Sequence, residues 1–326
     1  MKNHTHPMSV PETHGPGSGE ASRHGCGGCT CFIIPEHVLE RFAKDKKLTE
    51  EQRRYFAVAV KLEREWHRAR SATAKLATLS RSILPTAVNA LAAAAPPAVL
   101  VFDCQHGTAL PGTQIATPGT SADASAKRAF DETTAVANFY QTVFGRNSLD
   151  DAGMTLLSSI HFSVNYNNAG WTGTQMKYGD GDGNIFVDFT KSNDVIGHEL
   201  THGVTQYSSG FAYTNQAGGL NESMSDVFGS MFRQWRANQT VSAADWLIGK
   251  EIMGPGAIAR GFTCLRDMSN PAASHCLAPQ PTTFSQYQNG MDPMTAAASR
   301  TSPSTRPRRL SGGEVGRKPA RSGTRH

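Results

Sequence analysis

Two histidines four residues apart constrain this chain more than any other feature. They are the first and last residues of the run HELTH, residues 198–202. On a helix, residues i and i+4 lie on one face, so His198 and His202 can bind the same metal ion. Glu199 can then reach a metal-bound water without being a ligand itself. The run therefore predicts a helix over about residues 193–208 that carries half of a metal site.

A second helical pattern, near residues 219–236, supplies the ligand that the histidines lack. Zinc in a catalytic site takes three protein ligands and keeps one position open. Glu222 can be the third ligand, and Asp226, one turn later, can accept a hydrogen bond from a ligating histidine. An isolated HExxH motif often arises by chance, but this Glu and Asp on a second helix favour a catalytic zinc site.

One known family shares the sequence around both motifs. The chain resembles the thermolysin-like neutral metalloproteases in DVIGHELTHGVTQYSSGFAYTNQAGGLNESMSDVFG, residues 194–229. The resemblance continues in YNNAGWTGTQMKYGDGDGNIF (166–186), DWLIGKEI (245–252) and LRDMSNP (265–271). Two other runs, FIIPEHVLERF (32–42) and DCQH (103–106), resemble the protealysin-like branch, whose precursors carry a short N-terminal propeptide.

The resemblance implies an α+β fold with a strand-rich N-terminal lobe, a helical C-terminal lobe and a zinc cleft between them. We expect the N-terminal lobe over residues 98–197 and an incomplete helical lobe over residues 198–293. Residues 1–97 are expected to hold a disordered N-terminus, a propeptide-like segment and a linker. Residues 294–326 are expected to form a disordered basic tail outside the family pattern.

Local patterns predict several elements within these regions. Thr49-x-x-Gln52 is a capping-box pattern that begins an amphipathic helix. The apolar face of that helix is expected to consist of Tyr55, Ala59, Leu62 and Trp66. Residues 126–146 have the pattern of a helix, and residues 157–189 that of strands, with a Gly-Asp-rich turn before the last strand.

The resemblance also implies a zinc-dependent metalloendopeptidase, with peptide or protein substrates and the chain's own propeptide as partners. Each role is transferred by position in the shared runs. Zn²⁺ would be held by His198, His202 and Glu222, Glu199 would be the general base, and Asp226 would orient His198. Tyr213 would help to stabilise the oxyanion. Asn168 and Ala169 would hydrogen-bond the substrate backbone, and Arg266 would hold a substrate carbonyl.

The chain departs from the family where many members bind paired calcium ions. Asp194 and Asp245 remain at such positions, but Arg233, Leu247 and Lys250 occupy the others. Calcium needs six to eight oxygen ligands, so we expect no paired calcium site. We hypothesise that Arg233 or Lys250 replaces the metal charge by pairing with one of the two acids.

A second departure begins near Met294. The resemblance implies a further histidine that stabilises the transition state, and no residue after Met294 matches it. One hypothesis is that the tail is a frameshift product. The genetic code allows nucleotide sequences that encode this tail in one reading frame and family-like residues in a shifted frame. We expect this chain to be impaired in activity. The alternative is a catalytically dead relic that still binds zinc.

The net charge of +5 comes from the C-terminal tail. Eight Lys and Arg and one Glu follow Thr295, which gives the tail +7 and leaves −2 for the rest of the chain. Nucleic-acid binding by this tail is a weaker interpretation, because the tail lacks the aromatic residues on which bases stack. We therefore expect no nucleic-acid partner.

Targeting signals are sparse. The first two dozen residues lack the apolar core of a signal peptide, and prolines interrupt the apolar stretch at residues 83–102, so we expect a linker and no membrane span there. The family resemblance implies secretion, and a cytoplasmic location is the alternative.

Cys26, Cys29 and Cys31 are either thiols on a mobile segment or a metal or redox site. One hypothesis is that a thiolate occupies the open zinc position.

Overall fold

The computed structural model of the protein describes residues 31–80 and 97–297. We call residues 31–80 the N-terminal segment and residues 97–297 the main body. The predictions for Cys26 and Cys29, for the linker before residue 97 and for the basic tail beyond residue 297 lie outside the described residues.

The described chain combines helices and strands in both of its parts. The helices are α1 (Glu36–Ala43), α2 (Glu50–Ser80), α3 (Ala124–Phe144), α4 (Asn193–Tyr207), α5 (Asn215–Ala237), α6 (Pro255–Ile258) and α7 (Pro293–Ala296). The strands are β1 (Cys31–Phe32), β2 (Val99–Asp103), β3 (Thr113–Gln114), β4 (Leu156–Ile160), β5 (Ala169–Trp171), β6 (Met176–Tyr178), β7 (Leu247–Ile248) and β8 (Arg266–Asp267). This mixture confirms the predicted α+β class.

Six strands form one mixed sheet in the order β1-β5-β6-β4-β2-β3. The central strands β2, β4 and β6 are parallel, whereas β5 is antiparallel to β6. The N-terminal segment supplies the edge strand, because β1 pairs antiparallel with β5 and places Cys31 opposite Trp171. Strands β7 and β8 form a separate two-stranded sheet.

Helix α3 packs against this sheet and has clear local start and stop signals. The Asp123 carboxylate accepts hydrogen bonds from the backbone N–H groups of Ser125 and Ala126, which caps the helix N-terminus. Gly145 ends the helix in the left-handed conformation, where glycine carries no Cβ penalty. The buried face of α3, including Phe139, extends the core between sheet and helices.

Helices α4 and α5 approach so closely that their backbones touch. A Cβ on Gly229 would lie 2.7 Å from the carbonyl oxygen of Asp194 and 3.1 Å from the backbone nitrogen of His198. A Cβ on Gly197 would lie 2.9 Å from a ring carbon of Phe232. Glycine at both positions therefore permits a helix–helix distance at which side chains on α4 and α5 can share one ligand.

Helix α7 packs on the N-terminal half of α5 in the same manner. A Cβ on Gly218 would lie 2.9 Å from Cγ of Pro293, and one on Gly219 would lie 3.0 Å from Cβ of Ala296. Met294 is buried at this contact. Residues 294–296, which the sequence placed in the disordered tail, are thus helical, because the two glycines leave room for them.

The N-terminal segment contains the predicted capping box. The backbone N–H of Gln52 donates to Oγ1 of Thr49 at 3.2 Å, and the backbone N–H of Thr49 donates to Oε1 of Gln52 at 3.0 Å. These two bonds satisfy donors that helix α2 leaves without partners at its first turn. The prediction that a helix begins here is confirmed.

The buried face of α2 agrees only in part with the predicted one, because Ala59 is buried and Leu62 packs against the core as predicted, but Tyr55 does not. Phe56, Ala59, Val60 and Glu63 are buried, whereas the Tyr55 hydroxyl donates to Glu51 at the surface. The Phe56 ring stacks on the Phe42 ring of α1, with 5.0 Å between the ring centroids, and its centroid lies 6.3 Å from that of Phe186 in the main body. The prediction of Tyr55 on the apolar face is wrong because tertiary packing selects the neighbouring ring.

Other element boundaries also differ from the predicted ones. Helix α5 begins at Asn215, before the predicted 219, whereas α4 begins at Asn193, as predicted. The strand expected after the Gly-Asp-rich turn is reduced to a single bridge between Phe186 and Met253. Among the helices of the described chain, none is long and apolar enough to span a membrane.

Candidate metal centre

His198 and His202 lie one helical turn apart on α4, and both side chains are fully buried. Their Nε2 atoms face each other at 3.1 Å. Two nitrogen ligands of a tetrahedral zinc ion, each about 2.0–2.1 Å from the metal, lie about 3.3 Å apart. The helix therefore brings the two imidazoles to the separation that one metal ion requires.

Each imidazole is oriented through its other nitrogen by a residue of α5. Nδ1 of His198 lies 2.8 Å from Oδ1 of Asp226. Nδ1 of His202 lies 2.9 Å from Oδ1 of Asn221 and 3.1 Å from Oγ of Ser225. Because a carboxylate and an amide oxygen only accept, both Nδ1 atoms carry a proton, which leaves each Nε2 as the atom that a metal would bind.

Asn221 and Ser225 were not identified from the sequence. The signal that would have found them is helical spacing, since the two residues are four apart and share one face of α5 with the ligand-bearing turn. Polar residues on a buried helix face need partners, and here the partner is the ring of His202.

Glu222 completes the set from α5. Its Oε2 lies 3.2 Å from Nε2 of His198, and its Oε1 lies 3.5 Å from Nε2 of His202. The Tyr213 hydroxyl donates to Oε1 of Glu222. Burial raises the pKa of Glu222, but the adjacent imidazoles more than offset this and leave the pKa below its usual value. Glu222 is therefore an anion that faces two imidazole nitrogens.

The donor set fits a zinc ion. Within the described chain, Oε2 of Glu222 accepts no hydrogen bond although it is buried. An unpartnered buried carboxylate oxygen is costly unless a cation neutralises it. Two imidazole nitrogens and one carboxylate oxygen, with a free fourth position, make up the ligand set of many catalytic zinc sites. Burial lowers the pKa of His198, but the hydrogen bond to Asp226 and the negative charge of Glu222 outweigh it and raise the pKa to about 9, so a metal would have to displace a proton there.

Glu199 lies beside this set but is held away from it. Its Oε2 accepts a hydrogen bond from the backbone N–H of Trp171 at 2.9 Å. Its Oε1 is buried and has no hydrogen-bond partner among the described residues. Burial raises the pKa of Glu199 to about 7, although the positive charge of His198 and His202 opposes this. One oxygen is thus anchored and the other is available to accept a proton.

Arg266 is fully buried and contacts two parts of the molecule. It donates to the Asp226 carboxylate, and its NH1 group also donates to the carbonyl oxygen of Ile33 at 3.3 Å. The residue predicted to hold a substrate carbonyl therefore holds a carbonyl of the N-terminal segment in this structure.

The other two predicted substrate-binding residues contact the same segment. The backbone N–H of Ile33 donates to the carbonyl oxygen of Ala169 at 3.1 Å. The Asn168 side chain accepts from the backbone N–H of Ile34 at 2.9 Å and donates to its carbonyl oxygen at 3.0 Å. Asn168, Ala169 and Arg266 are thus brought together along the backbone of one extended chain.

Known proteins are similar to this chain in sequence and in fold. Residues 93–206 match the family pattern described as thermolysin metallopeptidase, catalytic domain, and residues 209–298 match thermolysin metallopeptidase, alpha-helical domain. The solved precursor of protealysin, a metalloproteinase from Serratia proteamaculans, is 32% identical with a TM-score of 0.65, over 81% of this chain and 75% of that chain. This chain belongs to the thermolysin metallopeptidase family. The members of the family are zinc metalloproteases, which supports the predicted Zn²⁺.

Several curated thermolysin-family proteins are also similar. An extracellular metalloprotease of Pectobacterium carotovorum is 40% identical over 58% of this chain and 56% of its own length. Protease PrtS of a Photorhabdus strain is 42% identical over 54% of this chain and 47% of its own length. The thermostable neutral protease NprT of Geobacillus stearothermophilus is 41% identical over 53% of this chain and 31% of its own length. The chain thus spans about half the length, or less, of these relatives.

An ion-pair cluster occupies the positions that correspond to the paired calcium site of many family members, where we expected no calcium in this chain. NH1 of Arg233 lies 2.9 Å from Oδ2 of the fully buried Asp194, and NH2 of Arg233 lies 2.6 Å from Oε1 of Glu251. Asp245 lies 3.6 Å from Arg233 and 3.4 Å from Lys250. The hypothesised pairing of Arg233 with Asp194 is therefore present in this thermolysin-family chain.

Two buried titratable side chains, Glu63 and Lys177, lie where the N-terminal segment meets the main body, and the sequence did not reveal them. Glu63 of α2 accepts a hydrogen bond from Asn168 and lies 3.5 Å from the Tyr166 hydroxyl. Lys177 of β6 donates to that hydroxyl at 3.1 Å, and its Nζ lies 4.6 Å from the centroid of the Phe32 ring. Burial raises the pKa of Glu63 to about 8 and lowers that of Lys177 to about 7.

Proposed function

We propose that this chain is the precursor of a zinc-dependent endopeptidase that hydrolyses peptide bonds. The observation that carries the proposal is the convergence of His198, His202 and Glu222 on one buried point, with an unpartnered oxygen of Glu199 beside it. Bound zinc would polarise the substrate carbonyl and make water more acidic. In the family, this combination of ligands and base cleaves peptides.

The roles of the chain's own residues follow from their contacts. Glu199 takes the proton of the attacking water through its unpartnered oxygen, because its other oxygen is fixed by Trp171. Asp226 keeps the ring of His198 in the orientation and tautomer that a metal needs. Tyr213, which lies on the loop between α4 and α5, supplies an O–H donor for negative charge on the substrate oxygen.

Substrate is proposed to bind as an added strand along β5. Ala169 accepts from the backbone N–H of Ile33, and the Asn168 side chain bonds both the N–H and the C=O of Ile34. Hydrogen bonds to a peptide's backbone hold it with little dependence on its sequence. Arg266 would bind a substrate carbonyl as it binds that of Ile33.

The N-terminal segment is proposed to be an inhibitory propeptide. Strand β1 takes the edge of the sheet that the substrate would need, so substrate and β1 exclude each other. We propose that activity appears after the segment is cleaved from the main body and dissociates. Because similar proteins include one named an extracellular metalloprotease, we also propose that the mature protein acts outside the cell.

The test is a peptide-hydrolysis assay on the full chain, before and after limited proteolysis that removes the N-terminal segment. We expect hydrolysis of a fluorogenic peptide after removal, its loss on addition of a zinc chelator, and recovery when zinc is restored. Glu199→Gln is the matched control, expected to retain zinc while losing about 10²–10⁴-fold in rate. Hydrolysis that is insensitive to chelator, or equal in the two variants, would overturn the proposal.

The second candidate function is a zinc-binding relic without turnover. It is favoured by the sequence after Met294, which lacks the histidine implied by the family resemblance. The same assay separates the two, because the relic would bind one zinc ion per chain and show no hydrolysis after the segment is removed. Nucleic-acid binding by the tail stays a weaker prediction, tested by salt-sensitive DNA binding that deletion of residues 298–326 abolishes.

A further inference from the structure

Cys31 reaches the metal centre from the N-terminal segment. Its side chain is fully buried, although the sequence left it as a candidate thiol on a mobile segment. One ligand atom each of Cys31, His202 and Glu222 lies within 4.8 Å of the other two. Two residues of the metal set and one residue of the segment thus form a cluster of ligand atoms.

The backbone of the segment fixes where this thiol can be. Cys31 pairs with Trp171, whose backbone N–H also anchors Glu199. The hydrogen bond of Ile33 to Ala169 of β5, and that of Ile34 to Asn168 just before β5, hold the segment in register two and three residues further on. Alternating side chains of a strand point to opposite faces, so Phe32 packs over Lys177 while Cys31 faces the metal centre.

We propose that Cys31 is the fourth zinc ligand in the intact chain. The proposal rests on the zinc site of the proposed function and adds the residue that closes it. Two histidines and a glutamate leave one tetrahedral position, and a cysteine thiolate is a strong zinc ligand at about 2.3 Å. On binding, the thiol gives its proton to solvent water, the S–Zn bond forms, and the water in the fourth position leaves.

The Cys31–zinc contact inhibits the intact chain more strongly than the pairing of β1 with β5 would do alone. A water in the fourth position is required for hydrolysis, and the thiolate occupies that position as long as β1 stays paired with β5. Removal of the segment breaks the S–Zn bond, the thiolate regains a proton from water, and a water molecule takes the open position. Cys31 is therefore a ligand of the latent state only.

Cobalt substitution of the full-length chain tests the ligand directly, without a measurement of activity. Tetrahedral Co²⁺ has visible absorption bands, and a thiolate ligand adds a charge-transfer band in the near ultraviolet. We expect both sets of bands in the unchanged chain, and loss of only the near-ultraviolet band in Cys31→Ser and Cys31→Ala. Cys104→Ser is the matched control, since Cys104 is also buried but lies at the end of β2, and should retain both.

A further variant assigns the band to this site. Cys264, His275 and Cys276 form a second cluster whose ligand atoms lie within 4.8 Å of one another, so thiolate absorption has another possible source. His202→Ala removes a ligand of the proposed site only and should abolish the band. A near-ultraviolet band of undiminished intensity in Cys31→Ser, or the absence of that band in the unchanged chain while visible bands show bound cobalt, would overturn the proposal. Failure of any metal to bind would instead overturn the proposed zinc function.

Discussion

Arg266 donates two hydrogen bonds to Asp226, from Nε at 2.8 Å and from NH2 at 2.7 Å. The same carboxylate accepts a hydrogen bond from Nδ1 of His198 at 2.8 Å. Burial raises the pKa of Asp226, but the charges of Arg266 and His198 outweigh it and keep the pKa below its usual value. An ionised, doubly anchored carboxylate therefore fixes the orientation of a proposed zinc ligand.

This arrangement predicts that Asp226 controls zinc affinity. Asp226→Asn should weaken zinc binding about 10–100-fold, because residues that orient metal ligands typically have effects of this size. Zinc affinity is measured by competition with a chromophoric chelator. Asp245→Asn, which removes an acid outside the metal centre, should leave the affinity unchanged. Equal affinities of Asp226→Asn and the unchanged chain would contradict the assignment.

Gly170 should determine how tightly the N-terminal segment docks. A Cβ at this position would lie 2.5 Å from both the carbonyl oxygen of Cys31 and a ring carbon of Phe32. Gly170→Ala should therefore displace β1 at a cost of about 1–3 kcal/mol, as other overpacked contacts do. The measurement is the rate at which an added protease removes the segment, which should rise. Thr174→Ala, at the exposed turn after β5, should not change that rate.

The Arg233 cluster predicts stability that does not depend on calcium. Added Ca²⁺ should leave the melting temperature of the chain unchanged, because Arg233 already neutralises Asp194. Arg233→Met should destabilise the fold by about 3–5 kcal/mol, since it leaves a buried carboxylate without its partner. The more exposed Lys250 provides the comparison, and Lys250→Met should cost under about 1 kcal/mol. Calorimetry with and without Ca²⁺ checks both, and a rise of several degrees with Ca²⁺ would refute the hypothesis.

His161 should make stability depend on pH in the alkaline range. Its Nδ1 lies 2.7 Å from Asp180 and its Nε2 lies 2.8 Å from Asp123, while His106 also faces Asp180 at 3.4 Å. The hydrogen bond to Asp180 has the largest effect and raises the pKa of His161. Burial lowers it, and the bond to Asp123 raises it again, so that the pKa moves from 6.5 to about 9. Protonated His161 therefore stabilises the fold fully below about pH 6.5, and this contribution is lost as the pH rises through about 9.

The pH effect can be isolated with His161→Asn. Asparagine suits the left-handed backbone at this position, where φ is 50°, and it carries no charge at any pH. The free energy of unfolding of the unchanged chain, minus that of the variant, should fall by about 2–3 kcal/mol between about pH 6 and pH 10. A difference that stays constant with pH would show that the two carboxylates do not hold the proton.

The sequence by itself determined the residues of the metal set. His198 and His202 are linked by the i, i+4 spacing of one helix, and Glu222 and Asp226 by the spacing of the next, so local periodicity was enough to group them. The capping box at Thr49 was equally local, and the hydrogen bonds confirm it. Family resemblance supplied the α+β class.

Only the tertiary structure decided what surrounds that set. The contacts of Ile34 with Asn168 join residues 134 positions apart, and those of Arg266 with Ile33 join residues 233 apart. No local pattern encodes such pairings, because they depend on which strand edge the N-terminal segment reaches. For the same reason Glu63 lies buried, and Cys31 meets the metal centre. Spacing along a helix grouped the proposed ligands, and long-range packing determined what holds and covers them.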